Sequence, residues 1–452
     1  MASIAATAGR IKRQGAGFIG EALVREACEA AGHVWRERTL TPLVTLRLLA
    51  LQVLWGNVSC RAVRLWGDAG FTAQAYCDAR MRLPVDVFGY VAAALTHEAR
   101  RRVRGFGRWR GHRVLHVDGS GLSMPDTPAL QRAFGQPGRV RAGCGFPVMH
   151  VLWLFDAATG LLCDFIPARW NTHDLADAAK LHAQMDAGDV LVGDRAFASF
   201  AHLALLRRRN LHGLFRGHQR QVVDFTPART RRTRPRSHRR DHAGLSAARL
   251  IRTLGRHDQL VEYRRPATRP AWMTPQDYAQ LPGAITVREL RYTAPRRGYR
   301  TKQVTLVTTL TDPRKYPKAE LVELYGARWR VETNLRYLKQ TMKMDVLRSK
   351  TPEGIEKELW MYLIIYNKVR LAMLDAATRQ QAPPDRVSFV DALDALRRSG
   401  AAAVTRLTLV VNPARPGRHE PRVIKRRKDR YTYMTRPRDQ LHQSLGITRL
   451  VA

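Results

Sequence analysis

The sequence predicts an α/β protein: a core built on a mixed sheet flanked by helices, with a β-rich insertion and an N-terminal helical domain. Three observations predict it. Residues 20 to about 100 carry apolar side chains at three and four spacing, as in LVTLRLLALQVLW and VFGYVAAALTHEARR, the period of amphipathic helices. Between 114 and 216 the pattern switches to short β-type runs, first consecutive and then alternating with helical stretches. From 317 to 346 and from 354 to 377 it is helical again.

In chain order, the helical domain ends in a basic stretch, Arg100 to Arg113, that also holds Phe106 and Trp109 and is loosened by Gly105, Gly107 and Gly111. It reads either as a solvated linker or as a connector that touches phosphates. VLHVD (114–118), VMHVLWLFD (148–156) and LLCDFIP (161–167) are β-type runs at the spacing of an antiparallel meander. HDLADAAKLHAQM (173–185) predicts a helix, VLVGD (190–194) a short buried strand, residues 199–209 another helix, and LHGLFR (211–216) a fifth strand. Residues 217–315 interrupt this order. A basic stretch, ARTRRTRPRSHRRDH (228–242), is followed by two arginine-bearing β-type runs, AITVRELRYT (284–293) and KQVTLVTTLTD (302–312). A last basic segment spans Arg415 to Arg430. The expected division is 1–105 (helical), 106–216 (first part of the core), 217–315 (β-rich insertion with a basic loop), 316–380 (helical second part of the core) and 381–452 (basic).

The 452 residues are 45% hydrophobic, enough for a sizeable core, and hold 77 Lys and Arg against 38 Asp and Glu. A net charge of +39 points to a polyanionic partner, most simply nucleic acid, since neutralising phosphates releases counterions. The charge does not say which nucleic acid, and ribosomal or membrane-surface proteins can be as basic. Five cysteines with no CxxC pair argue against zinc fingers and a disulfide framework. No apolar run reaches the roughly 20 residues that span a bilayer. The start, MASIAATAGRIKRQG, has no apolar core after its charges, so the expectation is a soluble, intracellular protein with a reducing cytoplasm as its setting.

Asp118 follows a largely apolar run and precedes Gly119-Ser120-Gly121, and Asp194 follows VLVG. Acids at the ends of two core strands can converge on one hard cation. Either acid alone is weak evidence, because such an Asp is usually a turn or helix cap. The segment ELVELYGARWRVETNLRYLKQTMK is sharper. On one helix at about 100° per residue, Tyr325, Arg328, Glu332 and Lys339 fall within an arc of about 60°. A solvated face with internal ion pairs is the plain alternative, but it has little use for a Tyr at the head of the row.

Tyr-x2-Arg-x3-Glu-x6-Lys is the signature of cut-and-paste transposases of the insertion-sequence-four family, and this sequence matches it throughout. HVDGSGLSMPDTP around Asp118 and GDRAFAS at 193–199 resemble that family's first and second catalytic Asp regions, and the resemblance covers roughly residues 30–375. It implies a ribonuclease-H-like core and two Mg2+ (or Mn2+) ions, with Asp118 bridging both and Asp194 and Glu332 each completing one ligand set. It further implies phosphate contacts by Tyr325, Arg328 and Lys339, binding of duplex DNA at terminal inverted repeats, and a homodimer that holds both ends. Arg216, before the insertion, is a further candidate DNA contact. Trp272, the one Trp between residues 205 and 315, could stack a flipped base or anchor the insertion's small core. His116 is expected to pack in the core on the strand face opposite Asp118, and Asp126 and Asp156 to be turn acids. Two other functions remain open: a metal-dependent nuclease of the same fold without strand transfer, and a non-catalytic DNA-binding derivative.

Overall fold

The computed structural model describes residues 18–65, 70–138, 141, 143–172, 174–229, 232–233, 245–293, 303–404, 408–413 and 436–444. Most of the basic stretch 228–242 and all of Arg415–Arg430 lie outside the described residues. Helices open it: α1 (Glu21–Ala30), α2 (Pro42–Leu54), α3 (Cys60–Arg64), α4 (Ala73–Arg82) and α5 (Val85–Arg102). Thr41, Ser59 and Thr72 start three of them by accepting a hydrogen bond from the N3 amide, which satisfies an otherwise orphaned donor. The arginines that follow are not a free linker. Arg100 pairs with Asp186 (3.2 Å), Arg101 with Glu98 (2.9 Å), Arg102 with Asp375 and Arg110 with Glu320. Arg113 joins Asp156 (3.1 Å) to Asp189 (3.4 Å).

A nine-stranded sheet follows: β1 (Val114–Ser123), β2 (Val148–Asp156), β3 (Leu162–Arg169), β4 (Val190–Gly193), β5 (His212–Arg216), β6 (Ala248–Gly255), β7 (Asp258–Arg264), β8 (Ala284–Thr293) and β9 (Gln303–Thr308), in the order β3-β2-β1-β4-β5-β9-β8-β7-β6. β1, β2 and β3 pair antiparallel, and β4 and β5 run parallel to β1. α6 (Pro128–Phe134) follows β1, α7 (Asp174–Leu181) precedes β4, and α8 (Phe200–Arg208) links β4 to β5 as the crossover that parallel pairing requires. Three antiparallel strands followed by two parallel ones, with helices on both faces, form a ribonuclease-H-like core.

Two features depart from the sequence reading. β1 does not stop at Asp118 but runs through Gly119, Ser120 and Gly121 to Ser123, paired with β2 throughout. The long apolar β2 supplies partners as far as Val148, and this pairing overrides the poor strand propensity of glycine. The insertion is not a sheet of its own. β9 pairs antiparallel with β5 (Leu214↔Thr308, Arg216↔Leu306), so its strands extend the core sheet. The β6–β7 hairpin went unpredicted because β6 is a largely exposed edge whose arginines interrupt its apolar pattern. α9 (Pro275–Ala279) lies between β7 and β8.

Alternation along β2 sorts its side chains to two faces. Met149, Val151, Trp153 and Phe155 join the cluster of the N-terminal helices and α12 (Pro352–Arg379), while Leu152 and Leu154 join that of α7 and α8. α12 starts at Thr351, whose side chain accepts from Gly354 N, and is buried along nearly its whole length between the N-terminal helices and the sheet. α13 (Phe389–Val404) covers it, and α14 (Arg438–Ser444) is the last described helix. No helix among the described residues is long and apolar enough to cross a membrane.

Arg288 in β8, 1% exposed, pairs bidentately with Asp258 in β7 (2.8 and 2.6 Å) and donates to Tyr316 O (2.6 Å). Removing one partner leaves a buried charge uncompensated. Asp258→Ala is expected to lower the free energy of unfolding by about 3–5 kcal/mol in chemical denaturation, with much of the loss recovered in the Asp258→Ala/Arg288→Met double variant.

Candidate active site

The register of the two central strands sets the site. His116 pairs with Val192 across the parallel β1–β4 ladder, and two residues further along each chain come Asp118 and Asp194. Asp118 sits mid-strand, opposite Trp153, with Gly119 N–H donating to its Oδ1 (3.0 Å). Asp194 follows β4 and caps a single 3-10 turn, Arg195–Phe197, by accepting from Ala196 N (2.7 Å). The cap role and a place beside Asp118 are therefore compatible. His116 is two residues from Asp118 and so shares its face of β1, which corrects the expected opposite orientation. It is fully buried, its two ring nitrogens have no hydrogen-bond partner, and burial with nearby Arg328 and Arg330 drives its pKa down to about 3.

The Tyr-Arg-Glu-Lys segment is not one helix. α10 (Lys318–Gly326) and α11 (Trp329–Arg336) are joined by an overwound turn in which Arg328 N bonds Tyr325 O and Val331 N bonds Arg328 O, both three residues back. After α11 a π-helical turn, Tyr337–Thr341, is underwound, with Met342 N bonding Tyr337 O five residues back. Such bulges recur at functional sites. The overwound and underwound turns leave all four side chains facing β1 and β4. Arg328 lies between the carboxylates of Glu332 (3.3 Å) and Asp118 (3.9 Å) and against the Tyr325 ring. Lys339 donates to Ser120 Oγ (2.9 Å) and Gly121 O (2.7 Å), next to Asp118 on β1. The chain beyond the π-turn is stitched to the end of β1, where Ser123 N donates to Asp345 O (3.2 Å) and Leu347 N donates to Ser123 O (2.9 Å).

Electrostatics confirm the convergence. Burial pushes the Asp118 carboxyl up to about 6, Arg328 opposes the shift, and Asp194 and Glu332 add to it. Burial also raises the Tyr325 phenol, opposed by Arg328 and Arg216 and assisted by Asp194. Trp272 is half-buried against the apolar cluster that α7 and α8 share with the strands of the insertion. Asp156 is a turn acid, its Oδ1 accepting from Ala158 N, Thr159 N and the Thr159 hydroxyl, and Asp126 accepts from Gln131. Sequence reasoning missed Ser120, whose hydroxyl accepts from Lys339. Gly119-Ser120-Gly121 inside a strand was the available signal for a close approach. A Cβ on Gly121 would meet the Trp170 ring at 2.8 Å, and that ring is 38% exposed.

The acidic donors are all carboxylates, which suit hard divalent cations. Among the described residues no three His, Cys, Asp or Glu side chains close around one point. An ion such as Mg2+ takes one or two carboxylates and fills its shell from phosphate and water.

A mixed sheet of this order with carboxylates gathered at its central strands defines a ribonuclease-H-like phosphoryl-transfer core. The family profile described as Transposase DDE domain matches residues 109–368, more than half of the chain, and the chain belongs to that family of DNA transposases, enzymes that work with divalent metal ions. The transposase InsG for insertion sequence element IS4 of Escherichia coli (strain K12) is 28% identical over 366 residues, which are 79% of this chain and 72% of that one. That relative supports membership of the insertion-sequence-four group and the reading of the chain as an enzyme acting on DNA. A piggyBac transposase synaptic complex with hairpin DNA aligns with a TM-score of 0.44 at 10% identity, over 88% of this chain and 81% of that one.

Asp118 gives this site a pH signature. A carboxyl whose folded pKa lies above its unfolded value contributes most to stability when protonated, so its contribution is full below about 4 and lost as pH rises through about 6. In metal-free protein, Asp118→Asn should melt above wild type at pH 7, and the difference should shrink to nothing as pH falls to about 4. An unchanged difference across that range would show that Asp118 is not strained by its neighbours.

Proposed function

We propose that this transposase binds the terminal inverted repeats of its element and carries out strand cleavage and strand transfer at Asp118, Asp194 and Glu332, with two Mg2+ or Mn2+ ions. The observation that carries the reading is Arg328, whose guanidinium joins Glu332 to Asp118 while strand register sets Asp194 beside them. Asp118, Asp194 and Glu332 would hold the ions, with Asp118 as the shared ligand. The ions, when bound, activate a water or 3′-hydroxyl and offset charge on the leaving oxygen. Arg328 carries positive charge into the cluster and can turn from carboxylate to phosphate when DNA enters. Tyr325 and Arg216 flank the Asp194 side of the bound strand. Lys339, braced on Ser120 and Gly121, grips the backbone on the Asp118 side. The exposed part of Trp272 is available to a displaced terminal base.

The remaining assignments follow from chemistry. The N-terminal helices, residues 1–105, contact DNA. They carry a groove of about 670 Å3 that includes His33, Trp35, Phe71, Arg36, Arg38 and Arg82, and this mix of rings and guanidiniums suits bases and phosphates. Residues 106–216 and 316–380 make the catalytic core, 217–315 the insertion, and the basic 381–452 region adds DNA or dimer contacts. A homodimer holds the two ends together, in the bacterial cytoplasm at the nucleoid.

Purified protein with a duplex carrying the element's end and Mg2+ should yield joined products as well as cleaved strands. Asp118→Ala, Asp194→Ala and Glu332→Ala should each lose on the order of 10³-fold or more in cleavage rate while retaining DNA binding in a mobility-shift assay. Cleavage without joining would point to the nuclease, and wild-type rates in all three variants would remove the acids from catalysis.

A further inference from the structure

Asp194 stands on a very small element. Its turn, Arg195–Phe197, is three residues long, and an isolated turn of that length has little stability of its own. Packing holds the turn to the strand: a Cβ on Gly193 would meet the Phe197 ring at 2.7 Å and Val117 at 2.9 Å, so Phe197 lies directly against the strand. The far end is anchored by two histidines. His202 in α8 bonds Phe197 O through Nδ1 (2.8 Å), and its Nε2 lies 3.0 Å from Nε2 of His182, in the 3-10 turn His182–Gln184 that follows α7. Both residues are essentially without solvent exposure, at 0% for His202 and 1% for His182.

The partners fix the tautomers. A carbonyl oxygen only accepts, so His202 Nδ1 carries a proton. Neutral His202 then accepts at Nε2, and His182 donates from its own Nε2. Burial drives His202 down to about 4 and His182 down to about 2, so both rings are neutral at physiological pH and neither serves as a proton carrier there. The result is a directed chain of hydrogen bonds, from His182 to His202 to Phe197 O, ending on the turn that presents Asp194. Losing the His202 donor would leave a buried carbonyl unsatisfied and free the turn to rock about Gly193.

We infer that His202, oriented by His182, is a positioning residue for Asp194, holding the carboxylate where a divalent cation bound with Asp118 needs it. This rests on the reading of Asp194 as a metal ligand. A ligand is held to within about half an ångström by the groups behind it, and loss of such a group typically weakens metal binding about 10–100-fold.

The test is Mn2+ binding to the protein–end-duplex complex, followed by the electron paramagnetic resonance signal of free Mn2+, with cleavage measured across the same Mn2+ range. His202→Leu, which has no donor, should raise the apparent Kd for Mn2+ about 10-fold and slow cleavage at low Mn2+, with recovery at saturation. His202→Asn, whose amide N–H can stand where Nδ1 stood, should stay within about threefold of wild type, although both substitutions lower thermal stability. If His202→Leu does not fold, His182→Leu and His182→Gln carry the same contrast, since Gln restores the Nε2–H donor. A folded Leu variant with wild-type Mn2+ affinity, beside an Asp194→Ala control whose affinity falls, overturns the inference. An Asp194→Ala control that binds Mn2+ like wild type instead overturns the assignment of Asp194 itself.

Discussion

Like charges repel, and the guanidinium of Arg328 stands between two of the site's carboxylates. It lies within reach of Asp118 and Glu332, which come from elements more than two hundred residues apart in sequence. One cation offsets the repulsion and also sets the approach of α11 to β1. The neighbouring contacts reinforce that approach: Lys339 docks on Ser120 and Gly121, and the chain after the π-turn bonds to Ser123.

The two halves of the site were unequally legible in sequence. The spacing of Tyr325, Arg328, Glu332 and Lys339 disclosed one face because helical period is a local property. The overwound turn at 326–328 and the underwound turn at 337–341 were invisible, since neither contains a proline or a break in the apolar pattern; both arise where tertiary contacts pull the backbone away from regular winding. Asp118 and Asp194 were ambiguous because their proximity depends on strand register, a non-local quantity. His116 was assigned to the wrong face although period two along a strand places it with Asp118.

For the fold, buried alternation made β2 and the meander readable, whereas β6 was not, because an edge strand with outward arginines has no apolar rhythm. The basic stretch Arg100–Arg113 was misleading in a different way. Its charge suggested solvent or phosphate, yet most of these guanidiniums hold carboxylates of the chain. Net charge therefore overstates how much positive surface is available for DNA. The histidine pair behind Asp194 left no trace in sequence, because two histidines twenty residues apart signal nothing until two helices bring them together.

The pairing of β5 with β9 separates length from geometry. The insertion leaves the core along one strand and returns along its immediate neighbour, with Leu214 opposite Thr308. The distance between its entry and its exit is therefore one strand spacing, whatever the number of residues in between. The chain can gain or lose hairpins at the far edge of the sheet without shifting Glu332 relative to Asp194. A segment arranged in this way is a place where recognition can diversify while the chemistry stays fixed.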